Sequence, residues 1–269
     1  MDGVFAAVKL ISNTFNIIGE ETMAADNNVK NVYGIVSGKG GVGKSLVTSL
    51  CAVASARMGF TTAILDADIT GPSIPKIFGV KGIVAGTEDG TIIPAETPSG
   101  IKLVSVNLIL EDETDPVAWR GPIISGVVKQ FWTDVAWGQI DNMFVDMPPG
   151  TGDVMLTAFQ SIPLKGIIIV TSPQELVNMV VEKAVKLADK MNVPVLGLVE
   201  NMSGVICPHC GETISIFGES RTDEICERHS IKKITSIPII PEISDRADSG
   251  TIEDISLDSI DDLMKAIRS

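Results

Sequence analysis

From residue 31 onward the chain alternates two apolar patterns. Short, near-continuous Val/Ile runs bounded by Gly, Pro, Asp and Asn give way to longer stretches with apolar residues at three- and four-residue steps. "VYGIVS" (32–37) is the first run, followed by a Gly-rich loop and a helical stretch to about Arg57. "TTAILDAD" (61–68), "IKLVSV" (101–106), "NMFVDM" (142–147), "GIIIV" (166–170), "VPVLGLVEN" (193–201) and "ITSIPI" (234–239) read as further strands. Helices are expected at about 122–136, 174–191 and 257–268. Continuous strands interleaved with helices predict an α/β fold, a mostly parallel sheet flanked by helices on both faces.

Residues 1–28 stand apart. Val4, Val8, Ile11, Phe15 and Ile18 recur at helical spacing before the chain turns polar at "GEETMAADNN". They predict an N-terminal extension with a short amphipathic helix, packed on the domain or a partner. Its single Lys9 makes attraction to an anionic lipid surface weak. No linker or repeat divides 29–269, so one domain is expected there.

Composition narrows the function. The 269 residues carry Lys+Arg 21 against Asp+Glu 34, a net charge of −13. That balance argues against general nucleic-acid binding, which relies on neutralising phosphates. No secretory signal is evident and no apolar run reaches the roughly 18 residues of a membrane span. The expected compartment is therefore cytoplasmic, with no stable membrane association. The four cysteines, Cys51, Cys207, Cys210 and Cys226, are expected as thiols rather than disulfides.

"GKGGVGKS", Gly38–Ser45, fits G-x-x-x-x-G-K-[ST] between a predicted strand and a predicted helix. Gly38, Lys39, Gly40, Gly41, Val42 and Gly43 would turn backbone N–H groups towards phosphate, aided by the helix N-terminus. Lys44 would contact the outer phosphates and the Ser45 hydroxyl would bind Mg²⁺. The acidic partners follow strands: Asp66 and Asp68 in "LDADITGP", Asp146 in "FVDMPPGTGD". Asp146, with Ser45 and Asp66, is assigned to the Mg²⁺ shell, and Asp68 to the hydrolytic water. An Asp after a strand is often only a cap or turn former; three beside a phosphate loop make that reading weaker.

"SGKGGVGKS", "DADITGPSIP", "WRGPIISGVVKQF", "FVDMPPGTGD", "TSPQEL", "ENMSGVICPHCG" and "IFG" occur in that order. The set resembles the Mrp/ApbC family of P-loop ATPases, iron–sulfur cluster carriers and scaffolds related to MinD and ParA. The resemblance spans roughly 31–250. It implies a homodimer that binds and hydrolyses ATP and holds a [4Fe–4S] cluster for apo iron–sulfur client proteins. It implies that Lys39 reaches the neighbouring subunit's nucleotide, that Cys207 and Cys210 hold the cluster, and that Asn201 contacts the adenine, with the loop around Pro238 covering it. Leu46 stands where relatives usually carry Thr, removing a hydroxyl contact to the α-phosphate. Thr70 replaces the commoner Tyr, and "ESRTDEICERH" replaces a Gly-rich stretch.

Cys207-Pro208-His209-Cys210 supplies two ligands where a metal usually wants four. Two completions are open. A second copy across a two-fold axis would add two thiolates. Alternatively, Cys226 and His229 would close an intrachain zinc site, reading C-x₂-C-x₁₅-C-x₂-H. Rival functions are a MinD/ParA-type positioning ATPase and a redox protein like the nitrogenase iron protein. The knuckle speaks against the first and its compactness against the second. Lys39 and the Asp68 loop are the expected couplers of hydrolysis to cluster binding.

Overall fold

The computed structural model describes residues 27–69, 71–82, 84, 86–87, 90–109, 121–150, 152–173, 177–255, 263–265 and 267. The N-terminal helix expected within 1–28, Thr70, Trp119 and Arg120 of the third motif, and much of the C-terminal helix lie outside these residues.

The chain runs β1 (Asn28–Val36), α1 (Lys44–Arg57), β2 (Thr62–Asp66), α2 (Ile74–Ile77), β3 (Ala95–Glu96), β4 (Lys102–Val104), α3 (Gly121–Thr133), β5 (Gln139–Asp146), α4 (Asp153–Ser161), β6 (Gly166–Thr171), α5 (Val177–Lys190), β7 (Val195–Ile206), β8 (Thr213–Ile214), α6 (Thr222–His229), β9 (Lys233–Ile239) and α7 (Pro241–Ser249). The strands form one sheet in the order β3-β4-β2-β5-β1-β6-β7-β8, with β9 also on β7. Pairing is parallel except at β3–β4 and β7–β8.

Every residue of β2 and β6 is buried, which explains why their sequences are apolar without alternation. Each buried Ile, Leu, Val or Phe contributes about 1.5–3 kcal/mol by leaving water. Tyr33 of β1 stacks on Phe144 of β5 at 5.6 Å between ring centroids. Trp137 is fully buried and donates its indole N–H to the Phe131 carbonyl at 3.0 Å.

The expected strands are found with shifted ends, as are the helix after the phosphate loop and those expected at about 122–136 and 174–191. β1 begins at Asn28, because backbone pairing with β5 carries polar residues that lack a hydrophobic signal. β7 continues past Asn201 to Ile206, held by β9 and β8 although "MSG" interrupts the apolar run. Helices α2, α4 and α7 have no counterpart among the expected helices; α7 begins on Pro241, a residue suited to the first helical turn.

Parallel register gathers the functional strand ends. Ile35 pairs with Asp146, and Asp66 with Asp146, so β1, β2 and β5 finish at one level. Ligand sites of α/β sheets form at this carboxyl edge.

Candidate nucleotide site and cysteine knuckle

The phosphate loop leaves β1 and enters α1 through Gly41 and Gly43, whose φ values are 82° and 83°. Gly43 is needed twice over. It holds a left-handed conformation, and a Cβ there would overlap the Asn201 side-chain amide. Asn201 Nδ2 donates to the Val42 carbonyl at 2.9 Å, tying β7 to the loop.

Lys44 opens α1, and its side chain is only 6% exposed. Its ammonium lies 2.8 Å from Asp146 Oδ1 and 3.3 Å from Asp68 Oδ2. Burial works against this charge, but Asp146, Asp68 and Asp66 outweigh it and hold the lysine pKa above its ordinary value. Asp146 also accepts from Ser45 Oγ at 2.6 Å and Thr48 Oγ1 at 2.8 Å. Asp66 accepts from the Asp68 backbone N–H at 3.1 Å and Ser105 Oγ at 2.9 Å. Burial first, and the Asp146 charge second, push the Asp66 pKa up to about 8.

Three carboxylates thus crowd one ammonium. An oxygen-rich, negatively biased cluster beside a phosphate loop fits Mg²⁺, which binds through one or two carboxylates, a hydroxyl and phosphate oxygens. Among the described residues, no three His, Cys, Asp or Glu side chains form a self-sufficient metal site.

The remaining expected nucleotide residues lie at the same edge. Lys39 is half-buried, and its carbonyl accepts from Ser37 Oγ at 3.1 Å. Leu46 packs against the core, which explains the apolar side chain there. Pro238 follows Ile237, the register partner of Asn201. Thr48, Ser105 and Glu200 were not anticipated. Thr48 lies four residues after Lys44 on the same helix face, and Ser105 directly follows a predicted strand core, so both positions carried a signal.

The knuckle sits beyond the end of β7. The Cys207 N–H donates to the Glu212 carbonyl and the Gly211 N–H to the Cys207 carbonyl, both at 2.9 Å. Gly211 has φ 76° and closes the turn. Cys207 is half-buried and Cys210 exposed. The backbone N–H groups of Cys210 and His209, with the Cys210 thiol, lower the Cys207 pKa and favour the thiolate that metals bind.

The intrachain zinc site is not assembled. Cys226 is buried in the core beside Ile225, and burial raises its pKa. His229 lies within the field of Glu182 on α5. No grouping of Cys207, Cys210, Cys226 and His229 exists among the described residues. The C-x₂-C-x₁₅-C-x₂-H spacing reflects a helix whose apolar stripe uses Cys as a small hydrophobe.

Comparison with known proteins identifies the family. The family model of ParA, NUBPL iron-transfer P-loop NTPases, matches residues 28–268. An iron–sulfur cluster carrier protein of Clostridium perfringens is 43% identical over 234 residues, covering 84% of this chain and 82% of that protein. One from Methanocaldococcus jannaschii is 42% identical over 225 residues, covering 83% and 78% respectively. The structure of a nucleotide-binding protein from Archaeoglobus fulgidus in complex with ADP superposes with a TM-score of 0.76 at 41% identity, covering 86% of this chain and 90% of that one. The cell-division ATPase MinD of Pyrococcus furiosus, at 20% identity, TM-score 0.62 and coverage of 88% and 97%, shares the fold. The phosphate loop, the strand-end aspartates and the paired cysteines lie within the matched span, and this chain belongs to the iron–sulfur cluster carrier family of NUBPL iron-transfer P-loop NTPases.

Proposed function

We propose that the protein binds and hydrolyses ATP with Mg²⁺ and carries a [4Fe–4S] cluster, held between two copies of the chain, to apo iron–sulfur proteins. The observation that carries the cluster assignment is the half-site itself. Cys207 and Cys210 stand on an exposed hairpin, and among the described residues no group of three or more His, Cys, Asp or Glu side chains completes a metal site around them. An isologous contact doubles two thiolates to four.

At the nucleotide, the loop N–H groups from Gly38 to Ser45 receive the phosphates. Lys44 exchanges part of its pairing with Asp146 and Asp68 for phosphate oxygens. Ser45 and Asp146, with Asp66 behind them, would hold Mg²⁺, which would supply charge neutralisation at the phosphates. Asp68, freed towards the phosphate end, orients the attacking water. Lys39 crosses to the neighbouring copy's nucleotide and makes hydrolysis depend on dimerisation. Asn201 and Pro238 line the base, and Leu46 forgoes an α-phosphate hydrogen bond.

Anaerobic reconstitution with iron and sulfide tests the reading. Four irons shared by two chains give about two per chain. Cys207→Ala and Cys210→Ala should each lose the cluster, and the loaded protein should have the mass of a dimer. Loading of a monomer, or zinc in place of iron, would count against the proposal.

A further inference from the structure

Glu200 is 2% exposed, beside Asn201 on β7. Its Oε1 accepts from the hydroxyls of Ser220 and Thr222. Its Oε2 accepts from Ser236 Oγ at 3.1 Å and lies 3.7 Å from Lys233 Nζ. Lys233 also pairs with Asp223 Oδ1 at 3.0 Å. A buried carboxylate is tolerated only when its oxygens are satisfied, and these groups satisfy it.

The partners of Oε1 lie on the far side of the knuckle. Between Ile206 and Thr222 the chain makes its excursion, and every residue from Pro208 to Arg221 is exposed. Such a segment gains little from apolar burial. Its outgoing limb is fixed by β7–β8 pairing, Val205 to Ile214 and Ile206 to Thr213. Its return is fixed by Ser220 and Thr222 on Glu200.

Successive strand residues face opposite sides of a sheet. Glu200 therefore grips the returning limb while Asn201 grips Val42 of the phosphate loop. The next residue, Met202, has φ 57°, and the β7–β9 register shifts between Asn201 and Val205. Regular pairing is interrupted between this double grip and the cysteines.

We propose that the Glu200–Asn201 step couples the nucleotide site to the knuckle within one chain, with Glu200 as a positioning residue for the cysteine hairpin. The inference rests on the carrier function proposed above. A nucleotide that prefers one phosphate-loop arrangement biases Asn201, hence β7 and the hairpin held by Glu200. Coupling of this kind is reciprocal, so a bound cluster must change nucleotide affinity by the same factor.

The test is ADP affinity of the apo and cluster-loaded dimer, in wild type, Glu200→Ala, Glu200→Gln and Ser220→Ala. In wild type the two forms should differ by about fivefold or more, and in Glu200→Ala by less than about twofold. Glu200→Gln keeps an acceptor for Ser220 and Thr222 and should restore part of the difference. Ser220→Ala leaves the carboxylate in place and should reduce it, which keeps the test alive if Glu200→Ala does not fold. Absence of an affinity difference in loaded wild type overturns the coupling. So does a wild-type difference that persists in folded, loaded Glu200→Ala, or in Ser220→Ala where Glu200→Ala fails. Wild type that takes up no cluster overturns the carrier reading itself, and the coupling with it.

Discussion

Asp66 and Asp146 stand opposite each other as register partners on β2 and β5, both within the field of the Lys44 ammonium. Two buried acidic side chains at adjacent strand ends resist being charged together, which with burial raises the Asp66 pKa, and a divalent cation would favour the charged pair. Asp146→Asn removes the charge closest to Lys44 and one of the two oxygens that accept from Ser45 and Thr48. We expect the Mg²⁺-dependent part of ADP affinity to fall about 10–100-fold. Calorimetric titration with and without Mg²⁺ checks this; an unchanged Mg²⁺ dependence would remove Asp146 from the cation shell.

Lys39 is expected to matter for hydrolysis more than for binding. Lys39→Ala should keep ADP affinity within about threefold, because Lys44 and the loop N–H groups remain. Its ATPase rate should no longer rise with protein concentration. A variant whose rate climbs with concentration as in wild type would show that Lys39 does not act across the dimer.

Cys226→Ala should keep its full iron content, since that thiol packs in the core away from the knuckle. The lost sulfur contact should cost about 1 kcal/mol of unfolding free energy. Iron analysis and urea unfolding read the two effects separately, and loss of iron from a folded variant would revive Cys226 as a ligand.

Gly79 and Gly250 pack backbone to backbone where α2 and α7 end. A Cβ on Gly79 would come 2.7 Å from the Gly250 carbonyl oxygen, and one on Gly250 would come 2.5 Å from the Gly79 Cα. Both residues have positive φ, 65° and 73°. Gly79→Ala and Gly250→Ala should each destabilise by at least about 1–2 kcal/mol from the left-handed conformation alone. Equilibrium unfolding in urea is the measurement, and a neutral substitution at either site would contradict this packing.

Asp141 gives an acid-limb prediction. Hydrogen bonds from Lys30 and from the Thr61 hydroxyl and backbone N–H lower its pKa from 3.8 to about 2. A carboxylate with a lowered folded-state pKa adds stability above its unfolded pKa and loses it as pH falls through the folded one. The Tm advantage of wild type over Asp141→Asn should therefore be constant above about pH 5 and vanish as pH drops towards about 2. An advantage independent of pH across that window would mean the side chain acts through shape rather than charge.

The strand–helix alternation, the phosphate loop and its flanking elements are legible in the residues alone, because these depend on local periodicity and on glycines that admit particular backbone angles. So are the positions of Asp66, Asp68 and Asp146, since a polar residue ending an apolar strand is a local signal. Tertiary structure decided what the cysteines are. Cys226 and His229 have good metal spacing along the chain, yet packing turns Cys226 into the core and leaves the knuckle with two thiols. Tertiary structure also revealed Glu200, whose partners Ser220, Thr222, Lys233 and Ser236 are distant in sequence and ordinary in composition. The difference is physical. Backbone preference and hydrophobic period are written into neighbouring residues, whereas the satisfaction of a buried charge is settled by groups that meet only when the sheet closes.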